Sequence, residues 1–454
     1  MTALSTAIYL IPIFIGILLV HIIWNDPDIK LLLLKFALGI EVGIGLTALL
    51  YFVFLFIDRP GFLYLLLTIS LALTFAVIRK WEPPQLSFKK NSLTQLQKLL
   101  LLSLAIIVLI DLGTFISTSL RRPHGSWDSW MIWNRVARFI YLGEKDWQRA
   151  FSSEFYWLFH PDYPPLIPLT NAWVWGVLKS ETVRVPAIQS GIFLFTSGLL
   201  LFTALYVVGS IETACLATII LMGTPSFISN GSGQLADVPL AVFILATVII
   251  FSLYNQYQQT KLLILAGITA ALAAWTKNEG LVFLICSFGG LFVLCYQNKH
   301  IWQAVTYYFV GIVTPLTILL YFKFQLAPAN DLFNSTLFEI WQRVSDSPRY
   351  VITLKALLTQ ILYSSGIPYT GSLLVIYYFL MNGKKLNGFN RGLLAVLIML
   401  VIQLVAYFAI YIITPNELDW QIDNSFERVI LHIYPATLFL IFSTIGTSKI
   451  ISHN

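Results

Sequence analysis

Charged residues are scarce in this chain, and the scarcity excludes whole classes of protein. Aspartate, glutamate, lysine and arginine make up 11% of the 454 residues, whereas an average soluble domain carries about 25%. Apolar and aromatic residues make up 57%, too many for the surface of a water-soluble fold. The chain is therefore neither a cytosolic enzyme nor a disordered protein.

Cysteine is also rare, and the three cysteines form no recognisable framework. Cys215, Cys286 and Cys295 all lie within apolar stretches. An odd, scattered set matches neither a disulfide scaffold nor the paired spacing of a zinc site. We interpret these cysteines as packing residues, and a secreted disulfide-rich domain is excluded.

Long apolar runs take the place of the missing charge. A membrane-spanning helix needs roughly 20 predominantly apolar residues, and about fourteen stretches are candidates. We predict an all-α, polytopic membrane protein with about thirteen transmembrane helices and with interfacial helices in a large first outer loop. The runs lie near residues 5–24, 36–57, 61–78, 99–118, 164–178, 187–208, 210–228, 235–255, 261–276, 279–296, 303–324, 368–382, 392–414 and 429–448.

Basic loops set the orientation of these spans. The net charge of +6 is interpreted as loop topology rather than nucleic-acid binding, since cytoplasmic loops are rich in lysine and arginine. Such residues cluster at 79–98 and 383–391. Both loops share one side only if the short, proline-led stretch 164–178 is re-entrant or interfacial, which we predict. The predicted outer segments are the N-terminus and residues 119–163, 229–237, 277–279, 325–350 and 415–428.

The first outer loop is rich in both charged and aromatic residues, unlike an ordinary connector. Its sequence predicts a helix from Ser126 or Asp128 to Leu142, ended by Gly143. Asp128 and Arg135 are seven residues apart, about 700° of helical turn, and are predicted to share a face. The helix is either an interfacial anchor or part of an active site at the membrane surface.

Several segments resemble one group of membrane enzymes. The first outer loop reads WDSWMIWNRVARF and, twenty residues later, HPDYPPLIP. Further on come GQLADVPLAVF at 233–243, AWTKNEGLVF at 274–283 and RVILHIYPA at 428–436. In this order they resemble the C-type-fold (GT-C) integral membrane glycosyltransferases, among them the protein mannosyltransferases and the aminoarabinose and galacturonosyl transferases of lipid A.

The resemblance implies a division of the chain and an activity. Residues 1–98 would be additional N-terminal transmembrane helices, and residues 99–454 a glycosyltransferase-like membrane domain with its catalytic loop at 119–163. The implied reaction transfers a sugar from a polyprenyl phosphate to a hydroxyl of a lipid or membrane-bound glycan, with inversion. The implied location is the extracytoplasmic face of the plasma (inner) membrane. Alternatives are a polyprenyl-diphosphate-linked glycan ligase or polymerase, and a lipid or solute transporter.

The same resemblance suggests catalytic and phosphate-binding residues. Asp128 would be the base that accepts the proton of the acceptor hydroxyl. Asp237 would assist it or orient the acceptor, unless it only caps the following helix. Arg135, Lys277 and Arg428 would bind the donor phosphate, which needs positive charge where its own charge grows.

Five further residues are predicted to contact the sugar or the acceptor: Glu279, Asp162, His160, Trp127 and His432. Glu279 has a plainer alternative, an ion pair with Lys277 at a helix end. Two ligands such as His160 and Asp162 do not make a metal site, so we predict neither a metal nor a cofactor beyond the lipid-phosphate sugar.

Overall fold

The computed structural model describes residues 2–57, 60–79, 92–155, 160–296, 300–330, 335–362 and 390–451. Over these ranges the chain is helical and contains no β-strand, so the predicted all-α class is confirmed. The predicted span 368–382 and most of both basic loops lie outside the described residues.

Helices account for most of the described chain. We number them α1 (Thr2–Ile23), α2 (Leu32–Phe54), α3 (Phe62–Arg79), α4 (Gln95–Arg121), α5 (Asn134–Leu142), α6 (Leu166–Leu178), α7 (Arg184–Val208), α8 (Ile211–Met222), α9 (Pro225–Ser232), α10 (Asp237–Tyr257), α11 (Leu262–Thr276), α12 (Asn278–Cys295), α13 (Ile301–Gln325), α14 (Leu337–Ser345), α15 (Ser347–Leu362), α16 (Arg391–Ile413) and α17 (Leu418–Ile451).

The protein is a polytopic membrane protein. Among the described residues, ten helices are long and apolar enough to cross a membrane: α1, α2, α3, α4, α7, α10, α12, α13, α16 and α17. Helices α8 and α9 form an eleventh span if taken together, but they meet at a bend of 63°. The predicted span 210–228 is therefore two helices that meet at a bend, because Pro225 is the first residue of a new helix.

Helix α10 is the centre of the bundle. Every residue of its apolar window is buried, and α7, α11, α16 and α17 surround it. Such a helix is apolar all round because it has no solvent or lipid face. Its first residue, Asp237, is thereby placed at the middle of one end of the bundle.

Consecutive helices alternate in direction, so their loops gather at two ends. Helices α4, α11 and α13 end where α7, α10 and α12 begin, and we call this the site end. At the opposite end, Gln97 of α4 donates to Glu212 of α8 at 2.9 Å. There too, Gln259 after α10 donates to Asp26 after α1 at 3.1 Å. The predicted outer segments that the structure describes lie at the site end.

Helix α6 does not cross the bundle. It has 13 residues, about 20 Å at 1.5 Å per residue, which is too short for a span. Its Trp173 contacts Tyr9 of α1 and Phe62 of α3, both near the site end. After the C-terminus of α6, the backbone carbonyl of Thr182 accepts a hydrogen bond from Trp175 Nε1 at 2.9 Å. The next helix, α7, begins at the same site end. This arrangement agrees with a re-entrant or interfacial segment at 164–178.

The last helix starts earlier than predicted. Helix α17 begins at Leu418, whereas the apolar run predicted a start near 429. Its first turns are polar and partly exposed, and no proline or glycine interrupts them before Pro435. The predicted outer loop 415–428 is therefore largely helical, and Arg428 lies within this helix.

Candidate active site

Asp237 is the centre of a buried ionic cluster at the site end. Its side chain has no exposed surface, and one oxygen accepts from Lys277 Nζ at 2.8 Å and contacts His432 Nε2 at 2.7 Å. The other oxygen accepts from Arg428 Nη2 at 2.8 Å and Nε at 3.0 Å. The carboxylate caps no helix, since Ala236 is the cap residue of α10 and makes no side-chain bond. The plain capping role is therefore excluded.

Lys277 is the single residue between α11 and α12, and its backbone is extended. Its amine reaches Asp237 Oδ1 at 2.8 Å and Glu279 Oε1 at 3.1 Å, with 5% of the side chain exposed. Burial opposes the charge of Lys277, but the two carboxylates outweigh it and hold the pKa of the amine above its ordinary value. The predicted pairing of Lys277 with Glu279 is present and extends to Asp237.

The turn that carries Lys277 depends on a close helix contact. Gly280 in the first turn of α12 lies against α11, where a Cβ atom would meet the carbonyl oxygen of Ala273 at 1.9 Å. Only glycine allows the two backbones to approach this closely. The position of Lys277 and Glu279 beside Asp237 depends on this approach.

Arg428 joins the outer loop to the cluster. Its Nη1 lies 2.7 Å from Asp128 Oδ2, and its Nη2 lies 2.8 Å from Asp237 Oδ2. Asp128 is 22% exposed and Arg428 27%, whereas Asp237 is sealed. One guanidinium with its fixed fork of donors thus orients two carboxylates. Asp128 is the carboxylate of this pair that a substrate can reach.

Backbone contacts with the turn before α10 hold the outer loop in place. Ser126 N and the hydroxyl of Ser129 both donate to the carbonyl of Gly233. Gln234 donates to the carbonyl of Pro123 at 3.2 Å. Gly125 has φ +75°, a conformation that favours glycine, and a Cβ there would lie 2.6 Å from Gly233 O. Asp128 is therefore held against the same turn that leads into Asp237.

A π-turn separates Asp128 from Arg135. The loop helix ends at Leu142 and Gly143 as predicted, but residues Ser129–Trp133 form π-type turns. A turn with extra residues changes the angle between the side chains before it and those after it. Asp128 reaches Arg428, while Arg135 donates to the sulfur of Met131 at 2.9 Å and lines a cavity. The prediction of one shared face is wrong for this reason.

Asp162 is the centre of a second polar group beside the cluster. Its side chain is fully buried and accepts from Asn278 at 2.7 Å and from Asn330 at 2.8 Å. Lys323 at the end of α13 donates to the backbone carbonyl of Asp162 at 2.5 Å and to Asn278 Oδ1 at 2.5 Å. His160 Nδ1 is 3.8 Å from Asp162 Oδ1. Since Asn278 lies between Lys277 and Glu279, the two groups share one turn.

Tyr163 lies between the two polar groups. Its ring stacks on Trp133 at 5.5 Å and on His160 at 4.9 Å, and Lys277 Nζ is 5.9 Å from its centroid. Burial, and then the carboxylates of Glu279 and Asp162, raise the pKa of Tyr163 well above its usual range. The phenol is neutral and retains its proton as a donor.

Sequence reasoning missed several of these residues. Lys323 is a lone lysine at the site end of a span, and a lysine in that position could have indicated a functional residue. Asn278 lies inside the motif AWTKNEGLVF. Tyr407, whose hydroxyl is 3.2 Å from His432 Nδ1, had no signal, because a tyrosine in an apolar span is ordinary.

A cavity of about 1010 Å³ lies on the other side of the outer-loop helix. Its charged lining is Arg122, His124, Arg135, Arg138 and Glu181, and its aromatic lining is Trp130, Phe139, Phe155 and Trp175. Trp127 is 57% exposed and meets Trp130 edge-on at 6.5 Å. The predicted phosphate-binding set is thus divided, with Arg135 in this cavity and Lys277 and Arg428 in the cluster.

One family of known proteins is similar to the central part of the chain. Residues 158–330 match the family model of dolichyl-phosphate-mannose-protein mannosyltransferase. The predicted resemblance to GT-C membrane glycosyltransferases is thereby confirmed. The matched range includes Asp162, Asp237, Lys277 and Glu279, so it covers part of both polar groups. Asp128, Arg428 and His432 lie outside it.

This match supports the interpretation of the protein as a membrane glycosyltransferase that uses a polyprenyl-phosphate sugar donor. Comparison with the curated proteins and with the solved structures gives no match. In the part of the chain that the structure describes, no group of three or more histidine, cysteine, aspartate or glutamate side chains is placed to hold a metal ion.

Proposed function

We propose that the protein transfers a sugar from a polyprenyl phosphate to a hydroxyl of a lipid or membrane-bound glycan. The reaction takes place on the extracytoplasmic face of the plasma (inner) membrane and inverts the anomeric centre. One observation carries the proposal: Arg428 ties the accessible carboxylate of Asp128 to the buried Asp237 and Lys277. A base and cations therefore lie side by side at the end of a membrane bundle.

Asp128 is the base in this mechanism. An acceptor hydroxyl attacks well only if a positioned group accepts its proton as the new bond forms. Asp128 is held by Arg428 at 2.7 Å and remains partly accessible. The hydroxyl oxygen bonds to the sugar carbon, the bond to the phosphate oxygen breaks, and the proton passes to Asp128.

The cations of the cluster stabilise the departing phosphate. A leaving phosphate needs no acid if fixed positive charge meets its growing negative charge. Arg428 is the partly exposed cation and Lys277 the buried one. Asp237 has no exposed surface, so we assign it a positioning role that acts through these two side chains. We assign the binding of sugar hydroxyls to Glu279, which is 18% exposed.

Inversion is the stereochemical outcome of a single displacement. In the proposed mechanism Asp128 acts only as the base, and no side chain forms a bond to the sugar carbon. The acceptor must then attack the sugar carbon from the side opposite to the phosphate. Anomeric analysis of the product by NMR checks this, and retained configuration would contradict it.

Asp128→Asn tests the base. With purified protein and polyprenyl-phosphate sugars we expect transfer to fall at least about 100-fold, the lower range for losing a general base. Native mass spectrometry should still detect the bound donor in this variant. Asp146→Asn is the control, since Asp146 is an exposed acid of the same loop. Full turnover by Asp128→Asn would remove it as the base.

The diphosphate-carrier alternative is tested in the same assay. A polyprenyl diphosphate sugar carries more charge than a monophosphate sugar and would need more cations. Offering both donors to the wild-type protein separates the two reactions. Turnover of the diphosphate donor alone would replace the proposed function by that of a glycan ligase or polymerase.

A further inference from the structure

Gln234 is a buried residue in a backbone conformation that glutamine rarely adopts. It lies in the turn between α9 and α10, with a φ of +59° and 4% of its surface exposed. Among the described residues three other non-glycine residues have a positive φ, and all three are exposed. Backbone strain of this kind persists only where the surroundings fix it, and it is found most often at functional sites. We therefore expect the side chain of Gln234 to do more than fill space.

The carboxamide of Gln234 joins the two ends of residues 123–134, which we call the Asp128 segment. Its Nε2 donates to the carbonyl of Pro123 at 3.2 Å, and its Oε1 accepts from Asn134 Nδ2 at 3.2 Å. Pro123 comes five residues before Asp128, and Asn134 comes six residues after it. A single buried side chain thus closes the part of the outer loop that carries the proposed base.

A third carboxamide fixes this closure to the helix bundle. Asn171 of α6 has no exposed surface, and its Nδ2 donates to Asn134 Oδ1 at 3.1 Å. Gln234, Asn134 and Asn171 therefore form a chain of carboxamides that runs from the turn before α10 to α6. Because a buried hydrogen bond is stronger than one in water, such a chain makes the segments that it joins rigid.

The middle of the Asp128 segment is held by the residue before Gln234. Ser126 N and the Ser129 hydroxyl both donate to the carbonyl of Gly233, and these two serines flank Asp128. Two consecutive residues of one turn thus hold the segment at its middle and at both ends. The contacts at the ends are the ones that depend on a side chain of this turn, so a substitution at Gln234 removes them and leaves the backbone acceptor in place.

From these contacts we propose that Gln234 is the positioning residue of Asp128. By closing the Asp128 segment, its carboxamide holds the Asp128 carboxylate where Oδ2 lies 2.7 Å from Arg428 Nη1. In this role Gln234 acts through the loop and not by contact with a substrate. The inference rests on the proposed function, in which Asp128 accepts the proton of the acceptor hydroxyl. Loss of the carboxamide should then slow the chemical step and leave donor binding unchanged.

Two substitutions of Gln234 test the proposal in the full chain. Gln234→Met removes both hydrogen bonds and keeps the length of the side chain. Gln234→Asn suits a positive φ better than glutamine does, but its side chain is one methylene too short to reach both Pro123 and Asn134. It therefore separates the closure of the segment from the conformation of the turn. Gln258→Met is the matched control, because Gln258 after α10 also has a positive φ, of +53°, and is exposed at the opposite end.

Kinetics with polyprenyl-phosphate sugars is the first measurement. In both Gln234 variants kcat should fall about 10–100-fold, since a misplacement of about 1 Å in a catalytic site can cost about 100-fold. The KM for the donor should stay unchanged, and Gln258→Met should match wild type in both constants. In an Asp128→Asn background, Gln234→Met should cost no further turnover, because the group that it positions is already lost. A full further loss in that background, or a rise in KM without a fall in kcat, would overturn the proposal.

Amide hydrogen exchange gives a second measurement that needs no turnover. Ser126 N donates to the Gly233 carbonyl at 2.9 Å, so the exchange of this amide reports whether the Asp128 segment is docked. Peptides from the segment should exchange several-fold faster in both Gln234 variants because two hydrogen bonds are lost, while peptides from α10 and α11 should match wild type.

The exchange data also separate this proposal from the proposed function. Unchanged exchange of the Asp128 segment would overturn the positioning role even if Asp128 is the base. Faster exchange throughout the chain would overturn it as well, since it would show a general loss of stability. If the wild type transfers no sugar but the segment alone loosens in the Gln234 variants, the proposed function fails and the closure by Gln234 remains.

Discussion

Replacing Asp237 by asparagine tests whether this buried carboxylate organises the cluster. Asp237→Asn keeps the side-chain volume but removes the charge that Lys277 and Arg428 share. Removing one partner of a buried ion pair costs roughly 3–5 kcal/mol. Each cation keeps a second carboxylate, so we expect the lower end, about 3 kcal/mol of the free energy of unfolding.

A double-mutant cycle gives the pairwise part of this effect. Lys277→Met removes the other charge of the pair, and unfolding is followed by SDS titration in mixed micelles. Because the two side chains are in contact at 2.8 Å, the double variant should be more stable than the sum of the single effects by about 1–3 kcal/mol. The matched control, Asp146→Asn, should stay within about 0.5 kcal/mol of wild type. Additive single effects would refute the idea that Asp237 and Lys277 act as a unit.

Three other predictions concern pH, packing and orientation. The pKa of Lys277 is raised above its ordinary value of 10.5, so its stabilising charge is present below that pH and is lost as the pH rises beyond it. The difference in stability between wild type and Lys277→Met should therefore shrink only above pH 10.5. A difference that disappears nearer neutrality would contradict this. Gly280→Ala should destabilise by about 1–3 kcal/mol in the same SDS titration, while Gly113→Ala, which has open space, should not; equal effects would argue against the close helix contact. The orientation is tested in a cysteine-free background with single cysteines at the exposed positions Asp419 and Lys261. The cysteine at Asp419 should react with an impermeant maleimide from outside the cell, and the one at Lys261 only after permeabilisation. The reverse pattern would show that the predicted orientation in the membrane is inverted.

The spans were predictable because the length of an apolar run is a local property. Each run that became a single long helix needed only its own residues and the thickness of a bilayer. The bend at Pro225 and the early start of α17 were missed for a related reason. Mean hydropathy indicates which residues lie in lipid or in the core, but not their backbone conformation. A polar helical turn has the same average as a polar loop, and a pair of helices that meet at a bend has the same average as one straight helix.

The site was predictable as a set of residues but not as a geometry. Asp237, Lys277 and Glu279 lie in short motifs at the ends of spans, where polar residues are informative. The bridge from Arg428 to Asp128 joins positions 300 residues apart, and no periodicity reports such a contact. The π-type turns between Asp128 and Arg135 lie where the loop docks on Gly233, a long-range contact that helix propensity does not report.

The position of α6 has a consequence for the order in which the protein is assembled. This short apolar helix packs against α1, α2, α5, α7 and α11. Three of these five neighbours leave the ribosome before it, so much of the surface that covers α6 is already made when it emerges. A segment too short to be held by the bilayer can then dock before the distal half of the chain, with α11, is made. Moving the first two helices to the C-terminus, by circular permutation, would leave α6 without α1 and α2 during synthesis even though every final contact is retained.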